Sequence, residues 1–418
     1  MRRATFALTV ALTLPALAVR GENWPAFRGA SAGGVGNGAT PATWDIGKAV
    51  NVAWKIPIPG IAFSSPIVWE DRVYVTTAVP AARPRGNDFR THHVWKLFSL
   101  DRASGKVIWE QTAHEGVPYM QRHVSSSYAN ATPATDGQHI VALLGTEALT
   151  SFDRSGRLLW KKLLQVNSKR DAFNSGTSPI LVDGNVILQD DRDRDSYIAA
   201  YRLTDGQEVW RRTRQDGSSQ STPVIWRGGA NAPPLLIAVA ERSIAALDAA
   251  TGSPAWSVPT RVLQPFATPA LAGDIVISSA EDHVRAFRLG GAADRPVSPA
   301  VVWSSSGGGG TVSSPLVLGD HVFVLGNGGA VTAYDVRTGR QLSQVRAGTG
   351  EFCASPVAAD GKIYVFSTAG DATVLRAGPA LDVLARNRMG ETTIATPAVA
   401  DGTLYVRTAG HLVALRTR

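Results

Sequence analysis

The sequence predicts an all-β protein, a single eight-bladed β-propeller of four-stranded antiparallel blades. Three observations support this prediction. A Ser/Thr-Pro dipeptide precedes a short apolar run eight times, and six of the seven intervals between these prolines measure 41 to 46 residues, the period of a propeller blade. Runs of alternating apolar and polar residues follow each dipeptide, as in half-buried strands. An Asp-to-Trp segment closes the early units. The prolines are Pro66, Pro133, Pro179, Pro223, Pro269, Pro315, Pro356 and Pro397.

Within each unit the strands can be assigned in order. Proline opens the first strand, where its missing N–H costs least, and a turn such as Asp183-Gly184 leads into the second. The third strand is followed by a glycine turn, such as that at Gly105, which introduces a fourth strand containing tryptophan. We expect these tryptophans to fill the space between neighbouring blades. They are Trp109, Trp160, Trp210, Trp256 and Trp303.

The two ends of the repeat region complement each other. The last unit supplies three strands and no tryptophan strand, whereas residues 51–58, NVAWKIPI, have the pattern of a tryptophan strand without a unit of their own. Unpaired edge strands promote aggregation. We therefore expect residues 51–58 to be the outermost strand of the last blade, which places Trp54 beside residues 411–416.

The first residues have the pattern of a secretory signal peptide. Arg2-Arg3 precedes an apolar run that ends in a small-residue motif at Ala18. We expect cleavage after Ala18, although a twin-arginine signal is an alternative. Residues 1–18 would thus be a signal peptide, 19–50 an N-terminal extension and 51–418 the propeller. The predicted location is periplasmic or secreted, without stable membrane insertion.

The charge and cysteine content narrow the classes of function. Lys and Arg number 42 against 34 Asp and Glu, and no basic block concentrates this excess, so nucleic-acid binding is not expected. Cys353 is the only cysteine, so no intramolecular disulfide can form. We expect a monomer whose partner is a protein, a peptide or a glycan.

Several motifs resemble a known family. The segment from Asp101 to Trp109 matches Asp-x-x-x-Gly-Lys-x-x-Trp and resembles the tryptophan-docking repeat of PQQ-type propellers, which include quinoprotein alcohol dehydrogenases and BamB. The stretches WPAFRG (24–29) and SSSYANATPATDG (125–137) are similar to PQQ-binding-like β-propeller repeat proteins. The match is imperfect, because Ser343 takes the tryptophan position of the sixth repeat. The resemblance implies the fold and leaves the activity open.

The resemblance also bears on cofactors. Quinoprotein alcohol dehydrogenases use an adjacent-cysteine disulfide, a Ca²⁺ ion held by carboxylates and an amide, and an aspartate base. This chain has one cysteine and no evident carboxylate–amide set. We therefore expect no cofactor, neither PQQ nor metal, and no catalytic residues. A PQQ-dependent oxidoreductase or a polysaccharide-active enzyme is the alternative to a non-catalytic, BamB-like scaffold.

The candidate ligand site lies on the face that carries the loops before each Ser/Thr-Pro. The longest loops, 78–94 and 112–131, belong to the first unit, and long loops on a rigid scaffold commonly carry binding sites. Arginine, aromatic and amide groups around one channel mouth would suit an anionic or hydroxyl-rich ligand. Hydrogen bonds that tie the loops together are the alternative role. The candidates are Arg122, His123, Tyr128, Asn130, Arg170, Phe173, Asn174 and Glu351.

Two further motifs do not support a functional site. Asp191, Asp193 and Asp195 have the spacing that begins a calcium loop, but the glycine and terminal glutamate of such a loop are missing. A charge-paired turn is the preferred interpretation. The segment GASAG (29–33) matches Gly-x-Ser-x-Gly without the strand and helix that a nucleophile elbow requires.

Overall fold

In this computed structural model, the described residues form eight four-stranded antiparallel sheets, which are arranged as the blades of a propeller. The described residues are 21–82, 90–119, 121–123, 125–145, 147–164, 176–192, 195–229, 232–262, 265–280, 283–290 and 297–417. The predicted signal peptide lies outside them. No helix in these ranges could span a membrane. The eight-bladed all-β prediction is confirmed.

The strands follow the predicted order within each unit. Blade 1 contains β2 (Ile67–Trp69), β3 (Arg72–Pro80), β4 (His93–Asp101) and β5 (Val107–Gly116). Blade 2 contains β6 (Ala134–Thr135), β7 (His139–Leu144), β8 (Ala148–Asp153) and β9 (Leu158–Leu163). Blade 3 contains β10 (Ile180–Val182), β11 (Asn185–Asp190), β12 (Tyr197–Arg202) and β13 (Glu208–Thr213). Blade 4 contains β14 (Val224–Trp226), β15 (Leu235–Val239), β16 (Ser243–Asp248) and β17 (Pro254–Pro259).

The second half repeats this arrangement. Blade 5 contains β18 (Ala270–Ala272), β19 (Ile275–Ser279), β20 (His283–Gly290) and β21 (Val297–Ser306). Blade 6 contains β22 (Leu316–Leu318), β23 (His321–Leu325), β24 (Ala330–Asp335) and β25 (Gln341–Arg346). Blade 7 contains β26 (Val357–Ala359), β27 (Lys362–Phe366), β28 (Asp371–Arg376) and β29 (Val383–Arg388). Blade 8 contains β30 (Ala398–Ala400), β31 (Thr403–Arg407), β32 (His411–Arg416) and, from the other end of the chain, β1 (Val52–Pro57).

Strand β1 closes the ring as predicted. It pairs antiparallel with β32, with Trp54 opposite Ala414 and Ile56 opposite Leu412. The Trp54 indole lies 5.9 Å from the Tyr405 ring, centroid to centroid. Its Nε1 donates a hydrogen bond of 3.0 Å to the carbonyl of Arg102 in blade 1. The N-terminal strand thus completes one blade and contacts the next.

The repeat tryptophans connect each blade to its successor. Among the described residues, five of the six indole N–H groups donate to a carbonyl in the third-to-fourth-strand turn of the next blade, and the indole face covers the glycine of that turn. At Trp109 the bond to the Arg154 carbonyl measures 2.9 Å and the covered glycine is Gly156. Ser343 replaces tryptophan in blade 6 but still donates to a turn carbonyl, that of Pro379. Trp54, Trp160, Trp210 and Trp303 make the same kind of bond as Trp109, and Trp256 is buried.

The N-terminal segment before β1 packs on the propeller. Antiparallel connectivity places the loops before each first strand at one end of the propeller, the loop face, and the tight turns at the other, the turn face. Residues 24–36 cross the channel from the turn face. Trp24 exchanges backbone hydrogen bonds of 2.7 and 2.9 Å with Val68 of blade 1. Farther along, the Gly34 carbonyl accepts a 2.8 Å bond from the Ala358 amide of blade 7.

Arg28 fixes this segment in place. Its side chain is 1 % exposed, and its guanidinium donates to the carbonyls of Pro315 at 2.7 Å and Pro356 at 3.2 Å. It also donates to the segment's own carbonyls at Ala32 and Gly33. Burial lowers the pKa of Arg28 to about 9, and these carbonyls offset part of the cost of burying its charge. Residues 24–36 therefore act as a plug in the channel.

Candidate functional site

A cavity of about 420 Å³ occupies the loop-face end of the channel. Its lining comes from the loops that precede the first strands of many blades, together with Phe27 of the plug. Phe63 and Phe266 add two more aromatic side chains, and Gln220 and Asn327 add amides. Because the plug crosses the channel on the turn-face side of the cavity, the cavity of the described structure is blind at that end. Its volume falls within the range of small-molecule sites.

A belt of hydroxyl groups surrounds the cavity. The Ser or Thr before seven of the eight repeat prolines accepts a hydrogen bond of 2.9 to 3.2 Å from the backbone amide of its counterpart in the preceding blade. Seven such links are present between described residues. The eighth link, which would run from the Thr396 amide in blade 8 to the Ser65 hydroxyl in blade 1, is absent among the described residues. The belt is formed by Ser65, Thr132, Ser178, Thr222, Thr268, Ser314, Ser355 and Thr396.

Three of the predicted site residues line this cavity. His123 and Asn130 come from the loop before blade 2, and Glu351 comes from the loop before blade 7. His123 and Glu351 are exposed at the rim. Asn130 lies deeper, where its Oδ1 accepts a 2.6 Å hydrogen bond from the Ser127 hydroxyl and its Nδ2 donates to Ser126 at 2.7 Å. Asn130 therefore also has the loop-tying role considered as an alternative.

Two other predicted residues lie behind this lining. Tyr128 is 4 % exposed, and its ring meets His93 edge-on at a centroid distance of 4.8 Å. The Arg122 guanidinium lies 5.9 Å from the Tyr128 ring centroid and donates to the Ser126 carbonyl at 2.7 Å. Neither side chain lines the cavity. The prediction placed both among the ligand contacts, whereas the structure places them in the packing of their own loop.

The remaining predicted residues, Arg170, Phe173 and Asn174, lie outside the described residues. Their loop enters the described structure at Gly176, which lines the cavity. The loops of the first unit are also shorter than expected from sequence. β3 continues to Pro80 and β4 begins at His93, and these two residues pair across the ladder. Blade 1 thus extends its hairpin into what the sequence indicated was loop.

Several lining residues were not predicted from sequence. Phe27 reaches the cavity from a segment without strand periodicity, and Phe63, Gln220 and Phe266 precede repeat prolines at positions where the type of residue varies. Alignment of the eight repeats on their prolines would have identified the last three. Cys353 also lines the cavity. Burial raises the pKa of its thiol to about 11, so the unreactive thiol form dominates at neutral pH.

The described lining does not fit a carboxylate-bearing quinone with a calcium ion. It contains one carboxylate, Glu351, and neither lysine nor arginine, whereas such a ligand pair calls for several acidic metal ligands and for cations. Among the described residues, no three His, Cys, Asp or Glu side chains form a group that could hold a metal. We therefore derive no chemistry through a quinone.

The acidic turn of blade 3 is held by buried ion pairs. Arg192 makes two 2.7 Å hydrogen bonds to the carboxylate of Asp190, and Arg214 lies 3.1 Å from Asp191. Burial raises the pKa of Asp191 to about 7, although Arg214 and Gln189 act in the opposite direction. These pairs agree with the charge-paired turn preferred from sequence. Asp193 lies outside the described residues.

Comparison with known proteins agrees with the observed propeller fold. A family model described as outer membrane protein assembly factor BamB matches residues 77–295, 292–379 and 327–418. Curated proteins give no match. The crystal structure of BamB from Moraxella catarrhalis aligns with a TM-score of 0.62 at 17% identity, covering 87% of this chain and 97% of that one. Quinohemoprotein alcohol dehydrogenase from Comamonas testosteroni aligns with a TM-score of 0.62 at 11% identity, covering 96% and 81%. At these identities the structural matches establish the fold alone.

Proposed function

This chain belongs to the family described as outer membrane protein assembly factor BamB, and from that premise we propose that it is a non-catalytic binding module of an exported compartment. It engages its ligand through the loop face around the channel. The observation that carries the proposal is the blind cavity of about 420 Å³. The family description and the signal-peptide pattern of residues 1–18 support a periplasmic or secreted location.

The chemistry of the lining favours a hydroxyl-rich ligand such as the end of a glycan. Phe27, Phe63 and Phe266 offer apolar faces, and the amides of Asn130 and Gln220 offer donors and acceptors. Belt hydroxyls add further polar groups. Aromatic faces beside amides and hydroxyls suit sugar rings, which present apolar C–H faces and polar edges. The described lining has no cationic Lys or Arg, which gives less support to a purely anionic ligand.

Binding of soluble oligosaccharides tests the proposal. We expect saturable binding in calorimetric titrations with maltohexaose, cellohexaose or chitohexaose, because each presents a neutral chain end of suitable chemistry. Phe63→Ala and Phe266→Ala should each weaken binding about tenfold or more, since each removes an apolar wall. Lys106→Ala on the turn face is the matched control and should leave the affinity unchanged. Absence of binding across the set, or equal loss in the control, would refute the glycan proposal.

A second titration addresses the enzyme alternative. With PQQ and Ca²⁺ added to the purified protein, we expect neither saturable binding nor dye-linked alcohol oxidation. The described cavity offers no close group of metal ligands, and the Cys353 thiol is protonated at neutral pH. Saturable binding with turnover would show that the chain is a quinone-dependent oxidoreductase instead.

A further inference from the structure

One position in the second strand of each blade places its side chain against the next blade around the ring. It lies two residues after the partner of the first strand's first residue. Leu143, Val239 and Leu325 hold this position in blades 2, 4 and 6, and each belongs to a hydrophobic cluster with residues of the following blade. In blade 3, Gln189 holds it and donates a 2.9 Å hydrogen bond to the carbonyl of Val239 in blade 4.

Arg407 holds this position in blade 8, so its side chain faces the seam between blades 8 and 1. It is 1 % exposed, and none of its three guanidinium nitrogens has a hydrogen-bond partner among the described residues. A buried charge without hydrogen bonds is strongly destabilising unless a bound group compensates it. Arg28, the other deeply buried arginine discussed above, has five carbonyl acceptors.

The acidic group that acts on Arg407 already has other partners. Glu391 is the carboxylate whose charge acts on Arg407. It accepts hydrogen bonds from Lys55 at 3.1 Å and from the Thr408 hydroxyl at 2.6 Å, and His411 lies 2.6 Å from it. Arg407 and Lys55 together carry more positive charge than Glu391 balances. Glu391 therefore supplies no hydrogen bond to the buried guanidinium of Arg407.

A second orphan group lies at the same seam. Ser65 of blade 1 is the belt residue that receives no amide from blade 8, and its Oγ is buried without a hydrogen-bond partner among the described residues. Ser65 and Thr396, the two belt residues on either side of the seam, both line the cavity. Two features thus meet at this seam and at no other junction of the described belt. The belt hydrogen bond is missing, and an arginine faces the neighbouring blade.

We propose that the seam between blades 8 and 1 holds a small inorganic anion, with Arg407 as its cationic partner and Ser65 as a hydroxyl donor. The anion lies next to the cavity, and Ser65 belongs to both linings. It satisfies the guanidinium and the unlinked hydroxyl together. The same site stabilises the ring at the junction where the two ends of the chain meet.

Anion titration at constant ionic strength tests the proposal. Sodium gluconate, a bulky anion, is replaced stepwise by sodium chloride or inorganic phosphate while Tm is measured by calorimetry. We expect a saturable rise of about 2 °C at ten times Kd for at least one of these two anions. Arg407→Met should abolish the rise, and Ser65→Ala should weaken the apparent affinity on the order of fivefold. Arg388→Met removes an exposed arginine paired with Asp371 and serves as the charge-matched control.

Each outcome decides the question. A rise that is lost in Arg407→Met and retained in Arg388→Met supports the site. Broadening of the chloride NMR line by the wild type, absent in Arg407→Met, would confirm it without reference to stability. Tm values that do not respond to either anion, or that respond equally in Arg407→Met, would overturn the proposal. If Arg407→Met does not fold, an unchanged affinity in Ser65→Ala overturns it instead.

Discussion

At the scale of single residues, Gly156 shows why the repeat motif has a fixed spacing. Its φ is +89°, a region that glycine adopts without steric cost. A Cβ at this position would lie 2.9 Å from Cδ2 of Trp109. The same residue thus permits the turn and leaves room for the tryptophan of the preceding blade. Backbone conformation and inter-blade packing constrain one position together.

Gly156→Ala should lower the free energy of unfolding by about 3 kcal/mol, because the left-handed backbone and the displaced indole both add cost. Gly184→Ala is the matched control, since Gly184 has a φ of +77° and an added Cβ there would meet no atom within 4 Å. It should cost about 1 kcal/mol. Urea denaturation measures both. Equal losses would mean that contact with the indole contributes nothing.

Glu391 links β1 to the loop before blade 8. Burial raises the pKa of this carboxyl, but hydrogen bonds from Thr408, Lys55 and Gly410 and the charge of His411 outweigh it and lower the pKa to about 2. A carboxyl with a lowered pKa in the folded state stabilises the protein fully above its ordinary pKa, and this contribution disappears as pH falls towards 2.

Glu391→Gln should therefore lower Tm at pH 7, and the difference from wild type should shrink between about pH 5 and pH 2. Thermal melts across this range provide the measurement. Asp360→Asn is a suitable control, because Asp360 forms an exposed pair with Lys362 away from β1. A Tm difference for Glu391→Gln that stays constant with pH would contradict the assigned role of the carboxylate.

At the scale of secondary-structure elements, strand β1 has three roles. It supplies the outer strand of blade 8, the tryptophan that contacts blade 1 and, through Lys55, an ion pair with Glu391. Its position was predictable because strand alternation and the missing strand of the last unit are both visible in sequence. The plug was not predictable. Arg28 donates to carbonyls that lie 287 and 328 residues away in the sequence. Residues 24–36 have no periodic pattern that would indicate a structured element.

Deletion of residues 51–58 should open the ring and leave the edge of β32 unpaired. We expect insoluble or protease-sensitive protein, because exposed edges pair with other chains. Solubility, size-exclusion chromatography and limited proteolysis measure this outcome. Trp54→Phe keeps the strand but removes the indole N–H bond to Arg102 and part of the ring that covers Gly105, so it should remain soluble with modestly reduced stability. A stable, monomeric deletion variant would show that closure by β1 is dispensable.

At the scale of the whole molecule, tryptophan contacts and the hydroxyl belt connect neighbouring blades around a closed ring. An open repeat array gains stability from nearest neighbours only and can unfold in parts. Here blade 8 contains strands from both ends of the chain, so loss of one blade disturbs two interfaces. We infer that the blades depend on one another for stability.

The wild type should consequently unfold in one calorimetric transition, with a ratio of calorimetric to van't Hoff enthalpy of about 1. The Gly156→Ala variant should shift this transition without splitting it, since local strain is shared around the ring. Differential scanning calorimetry at several scan rates provides the measurement. Two resolved transitions in the wild type would indicate that groups of blades unfold independently.

The sequence predicted the ring better than the site for a physical reason. Strand alternation, turn glycines and tryptophan spacing are local patterns, and their repetition corrects single errors. Side-chain direction within a loop depends on distant packing. Glu351 lines the cavity because its loop precedes a repeat proline, whereas Tyr128 turns inward because the extended hairpin of blade 1 brings His93 beneath its ring. Arg122 takes part in the same packing, because its guanidinium lies over the Tyr128 ring.

Among the described residues, the plug leaves the cavity one entrance, at the loop face. A ligand that enters the cavity must leave by the same route, so two ligands compete for it and cannot pass through in sequence. A long polymer can present only one terminus to Phe27, while its remaining units extend into solvent beyond the rim. If the proposed glycan is the ligand, its recognition therefore depends on the identity of the chain end and is insensitive to chain length.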